Sequence, residues 1–412
     1  MSGLPAGLAD AAWLREGPLP RLLAVLDGDG EEARVVGGAV RNALLRERTA
    51  EIDVATTALP DEVIRRVTVA GFKAVPTGIE HGTVTVIVDG QPFEVTTLRQ
   101  DVETFGRHAK VAFGRDWRAD AERRDFTINA LSATADGMVH DYVGGLGDLE
   151  RRHVRFIGDA GTRIAEDYLR ILRFFRFHAA YGHGVPDADG LHACIAARAG
   201  LDLLSRERVR MELLKLLVAA HAVPTLALMS ESGLLIPVIA GVADLAGFAN
   251  LTKAEAAVGM RPDPVRRLGA LGVRTSEDAE RLWQRLRLAN AEHERLASMG
   301  DGWWRIAPGD AKAARALLYG LGPEYFVERV LLAWARSSAR ATDRAWREMA
   351  TLPERWTAPV FPLKAADFIK RGIEKGPALG AALRAAEAAW IAADFPMDES
   401  ALAEIADAAA KG

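Results

Sequence analysis

The stretch ARVVGGAV (33–40), followed by EIDVATT (51–57), decides how this chain is read. Ala33 to Val36 has the β-branched density of a strand. Gly37-Gly38 ends it in a tight turn, and a helix starts at about Ala39. A second strand opens at Glu51. Residues i and i+2 of a strand project to one face, so Glu51 and Asp53 stand side by side with Ile52 turned towards the core. Farther on, TVTVIVDGQPFEVTTL (83–98) reads as a hairpin with Asp89-Gly90 at its turn and Glu94 on its second strand.

Beyond about residue 150 strand signals stop and helical periodicity takes over, rich in Ala, Leu and Arg. The expected fold class is α+β. A small α/β head with a mixed sheet spans 1–150, followed by an all-helical neck (151–225), body (226–350) and tail (351–412). There is no fixed-period repeat. At 412 residues the chain is too long for one ordinary domain, and its 49% apolar and 26% charged content is that of a soluble globular protein. The lone Cys194 excludes an intramolecular disulfide and suits a reducing cytoplasm. No secretory signal is recognised, and no stretch approaches the ~20 apolar residues of a membrane span. The net charge of −4 excludes a uniformly basic protein but leaves room for a local basic groove.

Paired carboxylates at this spacing suit Mg²⁺, which favours hard oxygen ligands shared with substrate phosphates. Two such ions ~3.5–4 Å apart can activate a hydroxyl and stabilise a departing phosphate. Alone, an acid-x-acid triplet is more often the solvent face of an edge strand. Its neighbours change the weighting. Gly37 and Gly38 bring backbone N–H groups and a helix start towards an anion, and Arg41 adds a direct phosphate contact. Glu94 is either a third carboxylate for the metals or an ordinary polar strand residue.

At this point the residues resemble a family. Gly37-Gly38-x-Val40-Arg41 with Ile52-Asp53-x-Ala55-Thr56-Thr57 looks like the head of class II tRNA CCA-adding enzymes and bacterial poly(A) polymerases. Four further motifs follow in the family's order. They are Arg123-Arg124-Asp125-Phe126-Thr127-Ile128-Asn129-Ala130; Asp141-Tyr142-Val143-Gly144-Gly145; Glu166-Asp167-x-Leu169-Arg170-x-Leu172-Arg173; and Ser205-Arg206-Glu207-Arg208 with Glu212. A looser likeness covers Leu363-Lys364-x-x-Asp367 and Gly376-Pro377-x-x-Gly380. Two positions depart from the pattern. Glu51 stands where the family has Asp, reaching one methylene further, and Asn42 replaces a usual Asp.

The resemblance implies a template-independent transfer of nucleotides from CTP and ATP to the tRNA 3′ end, with two Mg²⁺ ions. Glu51 and Asp53 would hold metal, with Glu94 as a further catalytic carboxylate. Gly37, Gly38, Arg41 and Arg124 would bind triphosphate; Asp125, buttressed by Asn129, would accept the ribose 2′-hydroxyl. Asp167 and Arg170, i and i+3 on one helix face, would read the nucleobase. A carboxylate accepts from the exocyclic amine of C or A and repels the carbonyl of U or G, while a guanidinium donates to the ring nitrogen. The plain alternative is an intrahelical salt bridge. Glu166 would orient Arg170, with Arg173 in support.

Seven arginines and one histidine face three acids between Arg151 and Arg176, which reads either as an RNA patch led by Arg151 and Arg152 or as a charged helix surface. Lys370, Arg371 and Lys375, before the Gly376-Pro377 turn, are candidate contacts to tRNA phosphates. Trp303 and Trp304 read as body core. The sequence before Glu94 lacks the basic aromatic stretch of poly(A) polymerases, and a well-populated segment runs from Arg99 through Gly106-Arg107-His108 to Glu122. Both favour full CCA addition over a poly(A) polymerase or a partial CC- or A-adding enzyme; a separate rival, in which Glu51 has spoiled the metal site, is a catalytically impaired RNA-binding protein. Neither a membrane nor a stable protein partner is implied.

Overall fold

In the computed structural model, which describes residues 4, 7–49, 51–105 and 108–411, the chain forms two compact units, residues 1–238 and 239–412. Gly106 and Arg107 of the segment singled out above lie outside the described residues.

The first unit is built on a mixed seven-stranded sheet in the order β3-β4-β5-β2-β1-β8-β9. Its strands are β1 (Ala33–Val36), β2 (Asp53–Thr56), β3 (Lys73–Gly78), β4 (Thr83–Val88), β5 (Gln91–Thr97), β8 (Ser132–Ala133) and β9 (Val139–His140). A separate hairpin joins β6 (Arg99–Phe105) to β7 (His108–Phe113). Only β2 and β5 pair in parallel. The β4–β5 hairpin turns at Asp89 (φ 51°) and Gly90 (φ 81°), the paired positive φ values that a two-residue turn of matching twist requires. β4 alternates as its sequence predicts, with Val84, Val86 and Val88 buried and Thr83, Thr85 and Ile87 half-buried.

β1 ends at Gly37, whose φ of 70° and ψ of −124° exclude most side chains, and the helix Gly38–Leu44 starts there, one residue earlier than expected. β2 begins at Asp53, so Glu51 and Ile52 precede the strand, and Ile52 is half-buried rather than set in the core.

The Asp141 motif is structural. Its carboxylate accepts the backbone N–H groups of Val143, Gly144, Gly145 and Leu146, and Gly145 lies so near the Thr127 carbonyl that a Cβ would sit 2.2 Å from that oxygen. From there the chain is helical. Phe156 stacks on Phe174 (ring centroids 5.5 Å apart), while Phe126 packs tilted against Phe156 (4.7 Å) and edge-on against Phe177 (5.3 Å). These fully or largely buried rings tie the Arg123–Ala130 segment to the helix Leu169–Tyr181. Cys194 is fully buried in the helix Ala188–Ala196.

The second unit is helical among its described residues. Glu255, 1% exposed, accepts from the Nε atoms of Arg266 and Arg267 at 2.8 Å each. Trp303 and Trp304 do not form a core. Trp304 is 54% exposed, and Trp303 donates from its indole nitrogen to the Arg274 carbonyl (2.9 Å) with Arg336 over its ring. Their short 3₁₀ turn leaves the rings at the rim of the helices. The Lys364-x-x-Asp367 motif is a helix cap, with the Lys364 N–H donating to the Asp367 carboxylate at 2.8 Å. No described helix is long and apolar enough to cross a membrane.

Candidate active site

β2 and β5 lie in register with Asp53 opposite Glu94, and β1 and β2 with Val36 opposite Asp53. This register places Glu94 next to Asp53 on one sheet face, beside the Gly37 turn. Glu51 joins them on the wall of a cleft of about 780 Å³. The crowding has an electrostatic signature. Loss of hydration, then the charges of Glu94 and Glu51, push the Asp53 carboxyl above the ordinary range, with Arg124 opposing. Among the described residues no three acidic, histidine or cysteine side chains converge as a ready metal cage. Hard oxygen donors whose mutual repulsion lacks a matched cation fit Mg²⁺, an ion that takes one or two carboxylates and completes its shell with water and substrate phosphate.

The same cleft is lined by Gly37, Gly38, Arg41, Arg124, Asp125, Asn129, Glu166, Asp167, Arg170 and Arg173. Every head and neck residue expected to meet the nucleotide is therefore brought together. Arg124 and Arg123 share one buried carboxylate, Asp120, held below its ordinary range because their charges outweigh the effect of burial. Two guanidiniums on one acid leave a net positive wall. A Cβ on Gly37 would lie 3.4 Å from Arg124 Nη1, so the glycine turn and this arginine form one surface.

Arg41 is buried and already engaged. It donates to Asn129 and Asn42, and to the Tyr181 hydroxyl (2.8 Å) with its guanidinium 3.9 Å from that ring. Asn129 in turn donates to Asp125 Oδ1 at 3.3 Å, the buttress expected. Asp125 also accepts from the Phe126 N–H, and its second oxygen from Arg173 at 2.6 Å. Burial would raise this carboxyl; Arg173 outweighs it and holds it below the usual range.

Asp167 and Arg170, the pair expected to read the nucleobase, differ from the expected geometry. Asp167 is not on the helix with Arg170. It caps the end of the helix Ala160–Glu166 in extended conformation, and the next helix starts only at Leu169. The sharp break between two short helices had been invisible in a run of good helix formers. Each member is anchored by another side chain. Arg208 grips Asp167 through two nitrogens, at 2.6 and 3.2 Å, and Glu166 binds Arg170, as its spacing suggested. Arg163 bonds Glu166 (3.3 Å), and its other nitrogens reach the Ile157 and Glu122 carbonyls. Arg208 was passed over as a site residue. Its motif, Ser205-Arg206-Glu207-Arg208, was the available signal, but a partner 41 residues away was not. Asp120 and Arg163 carry no expected role in the sequence, and the buried Glu212, named there only within that motif, pairs with Arg176 and Arg173.

The arginines from 151 to 176 are not one open patch. All seven lie within ion-pair distance of a carboxylate: Arg151 and Arg155 of Asp148, Arg152 of Glu47, the others of Glu166, Asp125 or Glu212. Arg170, Arg173 and Arg176 belong to the cleft. Lys370, Arg371 and Lys375 are exposed, with Arg371 paired to Asp407 at 2.6 Å.

Comparison with known proteins converges on one class. Residues 33–155 match the family described as the poly A polymerase head domain, and residues 188–245 that of the probable RNA- and SrmB-binding site of polymerase A. The mitochondrial CCA tRNA nucleotidyltransferase 1 of Danio rerio is 35% identical over 380 residues, 90% of this chain and 86% of that protein. The CCA-adding enzyme of Leuconostoc citreum is 39% identical over 219 residues, 52% of each chain. The crystal structure of the Bacillus stearothermophilus CCA-adding enzyme in complex with CTP superposes with a TM-score of 0.73 at 26% identity, covering 93% of this chain and 95% of that one. Head, cleft and relatives together define a nucleotidyltransferase. Within that class, the chain belongs to the CCA tRNA nucleotidyltransferase family.

Proposed function

We propose that this chain adds C, C and A in turn to the 3′ end of tRNA, taking CTP and ATP without a nucleic-acid template. The observation that carries this reading is the register of Asp53 opposite Glu94, with Glu51 beside them, in one cleft with the Gly37 turn and the anchored Asp167 and Arg170.

Glu51 and Asp53 would hold magnesium, which when bound would supply Lewis-acid stabilisation of the transferring phosphate. The protein's own residues do the rest. Gly37 and Gly38 present backbone N–H groups to the triphosphate, with Arg124 behind them and Arg41 fixing the turn. Asp125 marks the ribose position with Asn129 and Arg173. The tRNA 3′-oxygen forms the new bond to the α-phosphorus, the α–β bridging bond breaks, pyrophosphate leaves, and the hydroxyl proton passes to Glu94. Asp167 accepts from the exocyclic amine of C or A while Arg170 donates to the ring nitrogen. Arg208 and Glu166 keep the two side chains apart and aimed, so that neither cancels the other. The neck thus sets base choice for chemistry done by the head. Arg151 and Arg152, with Lys370, Arg371 and Lys375 of the tail, are assigned to tRNA phosphates. A buried lone cysteine agrees with a cytoplasmic setting.

The test is incubation with Mg²⁺ and tRNA transcripts lacking CCA, lacking A, or complete, with CTP and ATP given separately and together. Addition that stops after two C and one A is expected. An open-ended A ladder would instead mark a poly(A) polymerase, arrest after CC a partial enzyme, and binding without incorporation an impaired RNA-binding protein.

A further inference from the structure

The strand order gives the cleft a direction. Moving outward across the sheet one meets β1 with the Gly37 turn, then β2 with Asp53, β5 with Glu94, and β4. Neighbouring strands are ~4.8 Å apart, so these groups form a line. In an in-line displacement the attacking and leaving oxygens lie on opposite sides of the phosphorus. The triphosphate cradle at β1 puts the leaving pyrophosphate on that side. The attacking hydroxyl therefore enters from the β5–β4 side.

What lines that side is specific. Thr96 lies two residues from Glu94 on β5, so it shares the cleft face, and Thr83 is its direct partner on β4. Both are half-buried in the cleft wall, and their hydroxyls are 3.0 Å apart with either able to donate. A paired hydroxyl set can donate outward from one member and accept at the other.

We infer that Thr83 and Thr96 form the subsite for the ribose of the terminal nucleotide of the RNA being extended, bonding its 2′-hydroxyl. The terminal base is not the same at every addition: it is that of the unextended end at the first and C at the two that follow. A subsite that must serve every step can recognise only what is common, and the sugar hydroxyl is common. Two threonines that can swap donor and acceptor roles suit a hydroxyl that can itself do both.

This inference rests on the nucleotidyl transfer proposed above, and its experiment separates the two. Steady-state kinetics are measured on the full chain with tRNA ending in CC, its terminal cytidine carrying either ribose or 2′-deoxyribose, and with ATP varied independently. The unmodified protein is expected to show a KM about fivefold higher for the deoxy-ended tRNA, the effect of one hydrogen bond. Thr83→Val and Thr96→Val should raise KM for the natural tRNA about as much and lose discrimination between the two ends, with KM for ATP unchanged. Thr83→Ser and Thr96→Ser, which keep the hydroxyl, should behave as the parent. Equal use of both tRNAs by the parent overturns the inference without any variant having to fold. So do valine variants that still discriminate, or that raise KM for ATP equally. Absence of any incorporation by the parent would instead remove the functional reading itself.

Discussion

Two groups of charged residues, one in each unit, use the same amino acids to opposite ends. In the second unit Glu255 is sealed in the interior and matched by two arginines, each 2.8 Å from one of its oxygens. Its negative charge is fully countered within the fold. On the cleft wall of the first unit, Asp53 faces Glu94 and Glu51, and only Arg124 opposes them. Arg124 offsets that repulsion only in part, and burial first, then the two neighbouring carboxylates, push the Asp53 carboxyl up. Buried pairs complete themselves when the chain folds. A site left electrostatically unfinished is completed by what it binds.

The sharpest way to break this contrast is Asp53→Ala. Magnesium-dependent incorporation should fall by at least about a thousandfold, while gel-shift retention of tRNA is unchanged. Equal loss of both would mean that the acidic cluster holds RNA or fold rather than metal. The reverse result is expected at the matched site. Glu255→Gln takes the carboxylate's charge from between two buried guanidiniums and should destabilise the second unit by about 3–5 kcal/mol, seen as a lower thermal midpoint; an unaltered midpoint would show that the triad contributes no net stability. Between these extremes stands Asp167→Ala, which removes an acceptor but leaves Arg170 in place. Discrimination of C and A against U should drop by about 1–3 kcal/mol of base contact, read as UTP misincorporation, and intact selectivity would exclude Asp167 as the reader. The smallest effect concerns His178, a buried base kept neutral rather than paired. Burial first, then His221 and His153, push it down to about 4 from 6.5. The unfolded chain therefore binds a proton that the folded chain refuses. Its contribution is full above pH ~6.5 and is lost as pH falls towards about 4. Thermal midpoints of His178→Asn should flatten over that window relative to the parent, and identical acid limbs would mean that other groups set the slope.

Much of the head was legible because its signals are local. A strand, a Gly-Gly turn and a helix follow one another within a dozen residues, and the Asp89-Gly90 turn fixes the hairpin that delivers Glu94. The register of β5 against β2 was not legible, since a parallel pairing of residues 41 apart in the chain depends on the connection between the strands. The neck was read one step too simply. Asp167 and Arg170 have helical spacing, yet the helix breaks between them, and Arg208 supplies from a distant helix the constraint that continuity would have given. The basic stretch from Arg151 to Arg176 was legible only in part for a related reason: counting charge within it misses acids such as Glu47, Asp125 and Glu212 that arrive from elsewhere. Trp303 and Trp304 erred in the other direction, because aromatic size alone does not decide burial when an indole N–H finds a carbonyl at the rim.

Cys194 is fully buried, and its surroundings hold the thiol far above the range in which it would ionise. Being the only sulfhydryl in the chain, it leaves the surface silent to maleimides and other thiol-directed dyes. One cysteine introduced on an exposed face of each unit would take a fluorophore pair without first removing a native residue. Energy transfer between them could then follow the two units through successive additions on a single tRNA.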